Sequence, residues 1–175
     1  MNRIRGEGRR EYGDIDREEW NMRRRSRGEE DMGLEEKLHV VCVDDLKESR
    51  RALRFALKNV PRNHRLLLVH GKYEGRIGGE RAMPEEIRSR FLRMCKEEGM
   101  KCEFKIFDYG SNREFGDKVC RLAERNNAKS VIIGKREDVS DTRRAIIGSS
   151  SQSVLSSCGM PVTIVQSEGR ESSWM

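Results

Sequence analysis

Two stretches carry the residue types that an anion-binding site needs. Gly148-Ser149-Ser150-Ser151 opens a segment read as a short helix. At such a start, unpaired backbone N–H groups and the positive end of the helix dipole favour a phosphate, and the serine hydroxyls add donors. The same serines also read as a plain N-terminal cap. Gly134 closes the apolar run Ser130-Val131-Ile132-Ile133, and Lys135, Arg136, Arg143 and Arg144 stand between it and Gly148. The second stretch is Asp44-Asp45, which ends the run His39-Val40-Val41-Cys42-Val43; there Asp44 can equally end a strand and cap the following helix. No activated nucleophile, paired acid and base, or metal cluster stands out. His39, His64 and His70 lack a Cys or carboxylate at ligand spacing and read as structural. Gly71, Gly75, Gly78 and Gly79 form no G-x-G-x-x-G, so loop flexibility is the plain expectation.

The elements that must hold these groups follow from periodicity. His39–Val43, Leu66–Val69, Cys102–Phe107, Ser130–Gly134 and Pro161–Val165 are short apolar or alternating runs, suited to buried strands. Helices are expected between them. One runs from about Leu46 to Asn59 and stops at Pro61. A second starts at Pro84 and stops at Gly99. A third starts at Ser111 with capping-box spacing to Glu114, and a short fourth follows Gly148. The alternation βαβαβαβαβ calls for an α/β fold: a five-stranded parallel sheet, order 3-2-1-4-5, with helices on both faces. Ligands bind such sheets beyond the carboxyl ends of the strands where the order reverses, which places Asp44-Asp45 opposite Gly134.

Outside this block the chain changes character. Residues 1–37 are dominated by Arg, Glu, Gly and Asp without apolar period and are expected to form a disordered charged arm; 38–166 form the domain; 167–175 form a flexible tail. The net charge of +6 is weak evidence for an acidic partner, because acids and bases alternate almost everywhere. Arg23-Arg24-Arg25-Ser26-Arg27 is followed at once by Glu29, Glu30 and Asp31, so nucleic acid is an unfavoured partner. No apolar run approaches the roughly 18 residues that span a membrane, and no leader is evident. Five cysteines without a C-x-x-C read as reduced thiols packed in the core of a cytoplasmic protein, with the nucleus as an alternative.

Several segments resemble the universal stress protein family. Val40-Val41-Cys42-Val43-Asp44 with Ser49-Arg50-Arg51-Ala52-Leu53 is similar to its opening, and Leu67-Leu68-Val69-His70 to its second strand. Val131-Ile132-Ile133-Gly134, Arg143-Arg144-Ala145-Ile146-Ile147-Gly148-Ser149 and Pro161-Val162-Thr163-Ile164-Val165 are similar to its closing signature. The resemblance covers the ordered block and neither tail. It implies a Rossmann-like fold of the adenine nucleotide alpha hydrolase type and a regulatory module that binds ATP, alone or with Mg2+. Asp44, Gly71, Gly134, Arg136, Gly148, Ser149, Ser150 and Ser151 are the implied contacts, Gly71 through its backbone. It also implies a homodimer through Val162, Thr163, Ile164 and Val165, action on a protein partner in stress response, and no catalysis beyond slow ATP hydrolysis.

One departure counts against the nucleotide. The family loop reads G-x2-G-x9-G-[S/T], whereas Glu137 replaces the middle glycine here and the loop to Gly148 is one residue longer. A carboxylate about 6 Å from a phosphate charge is repelled by roughly 1–3 kcal/mol, or roughly five- to a hundred-fold in affinity. The neighbouring cations can offset this. The alternative is a nucleotide-free dimeric scaffold of the same fold; a third, weaker reading is a nucleic-acid binder through the Arg-rich arm.

Overall fold

Among the described residues, five strands and four helices alternate. The computed structural model describes residues 35–75, 82–135 and 148–166. The expected arm up to residue 34, the expected tail 167–175, and Arg136, Glu137, Arg143 and Arg144 lie outside the described residues.

The strands are β1 (Leu38–Cys42), β2 (Arg65–Tyr73), β3 (Lys101–Tyr109), β4 (Ser130–Gly134) and β5 (Val162–Val165). The helices are α1 (Lys47–Asn59), α2 (Pro84–Glu97), α3 (Asn112–Arg125) and α4 (Ser149–Ser157). All strands pair in parallel in the order 3-2-1-4-5, with Val40 opposite Leu67 on one side and Val131 on the other. Backbone pairing begins just before β1, where the Lys37 carbonyl accepts from Arg65 N at 2.8 Å. Glu36 adds ion pairs to Arg65 and Lys101.

Period-two alternation sorts the core into two layers. Val41, Leu66, Leu68 and Ile132 face Leu53, Ala56 and Leu57 of α1 and Ile87 and Phe91 of α2. Val40, Leu67, Val69, Val131 and Ile133 face Phe115, Val119 and Ala123 of α3 and Val154 of α4. The central strands are apolar on both faces because both are covered.

Helix boundaries follow local chemistry. Pro84 occupies the first turn of α2, and Glu86 accepts from Met83 N at 3.3 Å. Gly99, at φ +65°, terminates that helix in the left-handed conformation. At α3 the capping box is only half formed: Ser111 Oγ accepts from Glu114 N at 3.2 Å, but the Glu114 carboxylate accepts from Gly110 N instead of Ser111 N.

Two expectations are corrected. β2 runs on through His70, Gly71, Lys72 and Tyr73, each paired with β3 as far as Tyr109, so Gly71 is a strand residue and not part of a loop. The thiols are also not all reduced. Cys95 in α2 is bonded to Cys102 in β3, and Cys120 in α3 to Cys158 at the end of α4, leaving Cys42 free and buried. Their Cα atoms lie 6.2 Å and 5.0 Å apart, within disulfide reach. The spacing along the chain could not show this, because helix packing on the sheet brings each pair together.

Candidate functional site

The carboxyl ends of β1, β2 and β4 and the first turns of α1, α2 and α4 surround a cavity of about 730 Å3. Asp44, Gly71, Gly134, Gly148, Ser149, Ser150 and Ser151 all line it, so every described residue of the expected site is brought to one place. Arg136 is the exception, lying outside the described residues. The volume falls within the roughly 300–1,000 Å3 of small-molecule sites.

Asp44 is held in a tight local network. Its Oδ1 accepts from Leu46 N at 2.8 Å and from Ser49 Oγ at 2.6 Å, while Ser49 Oγ accepts from Asp44 N at 2.9 Å. One oxygen thus braces the entry to α1; none of these bonds uses Oδ2. Its neighbour Asp45 pairs instead with Arg90 of α2, and that guanidinium holds its carboxyl below the usual range. Both aspartates line the cavity, but Asp44 braces the entry to α1 while Asp45 ties the turn before α1 to α2.

Gly134 is needed for a reason the sequence did not disclose. A Cβ there would lie 2.4 Å from the Glu48 carbonyl oxygen and 2.6 Å from its carbon, so β4 can end against the first turn of α1 only without a side chain. Gly71 is similarly crowded: a Cβ would meet Phe115 at 2.8 Å and Tyr109 at 2.9 Å.

At the third wall, α4 begins at Gly148, which provides no side-chain cap. Ser151 Oγ is turned back to donate to the Gly134 carbonyl at 3.3 Å. A plain serine cap is therefore not what this helix start uses. The first-turn amides of α4 have no partner within the helix, and Ser149, Ser150 and Ser151 line the cavity.

The other walls were missed from sequence. Leu46, Met83, Tyr73, Tyr109 and Phe115 give the cavity an apolar rim and an aromatic side, with Tyr109 and Phe115 rings edge-on at 5.1 Å. The alternation of β3 continues two residues past Phe107 to Tyr109, a signal that could have extended the strand. His70 lines the site but is structural: its Nδ1–H donates to the buried Val43 carbonyl at 2.9 Å, tying β2 to β1. Burial pushes the Cys42 thiol far up, so it is not a thiolate at neutral pH.

The remaining histidines pack together at the opposite end of the sheet. His39 Nδ1 meets Ser130 Oγ at 2.8 Å and His39 Nε2 meets His64 Nδ1 at 3.0 Å.

Comparison with known proteins agrees with this geometry. The sequence profile of the universal stress protein family matches residues 39–166. Among solved structures, a universal stress protein from Archaeoglobus fulgidus is 26% identical, covers 75% of this chain and 98% of its own, and superposes with a TM-score of 0.58. A family member from Arabidopsis thaliana with AMP bound is 18% identical over 77% of this chain and 94% of its own, at a TM-score of 0.56. The Archaeoglobus fulgidus protein in complex with dAMP is 24% identical over 75% and 98%, at a TM-score of 0.53. Comparison with curated proteins finds no match.

Proposed function

The chain belongs to the universal stress protein family, and from that premise we propose that it is an adenine-nucleotide-binding regulatory module. The observation that carries this reading is the convergence of Asp44, Gly71, Gly134 and the α4 start on one cavity at the reversal of strand order. The apolar and aromatic side accepts the flat base, with Gly71 giving its backbone a close approach. Asp44 Oδ2 accepts from a ribose hydroxyl. The amides of Ser149, Ser150 and Ser151 donate to phosphate oxygens, assisted by the helix dipole. Relatives with AMP and dAMP bound support the adenine class. ATP is the nucleotide we favour, with Mg2+ held by its phosphates and Arg136 among the cations that balance Glu137.

Binding serves regulation and not turnover: slow ATP hydrolysis is the most chemistry expected. The module acts in stress response through a protein partner, in the cytoplasm. It does so as a homodimer through β5, an edge strand whose Val162, Thr163, Ile164 and Val165 are all half-buried.

A second reading is a nucleotide-free scaffold of the same fold. The close approach of Gly134 to Glu48 favours it, because packing alone explains that glycine. Calorimetric titration with ATP and Mg2+, beside a Glu137→Gly variant, separates the two. The module reading expects binding by the native protein, the loop cations offsetting Glu137, and a gain in the variant of at most roughly five- to hundred-fold. Silence in both would leave the scaffold.

A further inference from the structure

The Cys120–Cys158 bond closes a ring of chain that contains β4, Gly148 and α4. It anchors the C-terminal end of α4, whose first turn lines the cavity about 13 Å away along nine residues. Along its length α4 packs on α3, and Val154 is buried in the core beneath it. Only Ser151 and Val154 of its residues are buried, and Leu155 is 43% exposed. A nine-residue helix of this composition has no stability of its own.

Polar ties also run to α3, like the disulfide. Ser157 Oγ donates to Asp117 Oδ1 at 2.8 Å and Ser153 Oγ donates to the Asn112 carbonyl. Gly116 lets the helices touch, since a Cβ there would lie 2.6 Å from the Ser153 backbone. At the cavity end Ser151 is held by its long bond to the Gly134 carbonyl.

We infer that the Cys120–Cys158 pair is a redox-controlled site that sets the nucleotide affinity of the cavity, an inference that rests on the nucleotide-binding reading above. Oxidised, the bond seats α4 and pre-organises its first-turn amides; reduced, α4 leaves its seat for part of the time. The reactant is a dithiol. Its thiolate attacks Sγ of Cys158, the more accessible partner, and forms a mixed disulfide while Cys120 leaves as a thiolate and takes up a proton. The second thiol of the reductant then displaces Cys158. The protein gains two electrons and two protons, and the dithiol becomes a cyclic disulfide. The Cys95–Cys102 bond joins α2 to β3 on the other face of the sheet, and neither cysteine lines the cavity, so it supplies an internal control.

The test uses the full chain carrying Cys95→Ala and Cys102→Ala, which leaves one bridge. ATP with Mg2+ is titrated by calorimetry before and after dithiothreitol, with a two-hydrogen mass gain confirming reduction. Hydrogen exchange at the α4 amides is read on the same samples. If one reduced molecule in ten keeps α4 seated, the apparent Kd rises about ten-fold, with faster α4 exchange. A Cys120→Ala/Cys158→Ala variant, shown folded by circular dichroism, behaves like the reduced form. Equal affinity in both redox states overturns the inference. If neither state binds nucleotide, that reading falls separately, and exchange decides: unchanged α4 protection overturns the redox hold on α4, and faster exchange upholds it.

Discussion

Replacing Gly134 with alanine asks directly what that glycine is for. If it served only to admit a ligand, adding a methyl group to a strand residue would stabilise the protein by about 0.4–1 kcal/mol, through a less flexible unfolded chain. The structure gives the opposite sign. The new Cβ would lie 2.4 Å from the Glu48 carbonyl oxygen and 2.6 Å from its carbon, and these are backbone atoms that cannot rotate away. The start of α1 or the end of β4 must shift, and overpacking of this kind costs about 1–3 kcal/mol. Because Asp44 and Ser49 brace the same turn, the displacement reaches the cavity wall as well. Urea unfolding followed by far-UV circular dichroism is the appropriate assay. Circular dichroism reads the strands and helices directly, whereas Trp20 and Trp174 lie outside the described residues. The midpoint should fall by about 0.5–2 M with the slope m unchanged. An unchanged or raised midpoint would refute the packing argument and return Gly134 to a purely ligand-related role.

The two disulfides should differ in worth. Loop closure over separations of 38 and 7 residues predicts losses of roughly 4 kcal/mol for Cys120→Ala/Cys158→Ala and roughly 2 kcal/mol for Cys95→Ala/Cys102→Ala by chemical denaturation; the reverse order would contradict the chain-entropy account. Burial, then repulsion from His64 and Lys37, holds His39 below its ordinary value of 6.5, and burial with Lys37 does the same for His64. Below about pH 6.5 the unfolded chain then binds protons that the folded chain does not, so stability is full above that pH and declines beneath it. His39→Asn should flatten that decline, as stability measured from pH 7.5 to 5 will reveal. Light scattering after size exclusion should give a dimer, and Ile164→Lys on the β5 edge should give a monomer. A native monomer would remove β5 as an interface.

How much of this was legible beforehand depends on the range of the interactions involved. Val131, Ile132 and Ile133 form an unbroken apolar run between Ser130 and Gly134, and the strand has those bounds. Pro84 and Gly99 bracket α2 because a missing N–H and a left-handed φ are properties of single residues. From five such runs, parallel pairing and the reversal between β1 and β4 followed, and with them the meeting of Asp44, Gly134 and the α4 start. The extension of β2 to Tyr73 was not legible, because Gly71 looks like a turn until β3 is laid beside it and the rings of Tyr109 and Phe115 occupy the space a side chain would need.

Residue type and period thus determined the elements, their order, the sheet and the end of it that carries the site, since each of these rests on preferences felt within a few residues. Tertiary structure alone decided which cysteines bond, why Gly134 admits no side chain, and that His39 faces His64. Those facts depend on helix phase and strand register summed over the whole domain. A change of a few ångströms in either would undo them while leaving every local pattern intact.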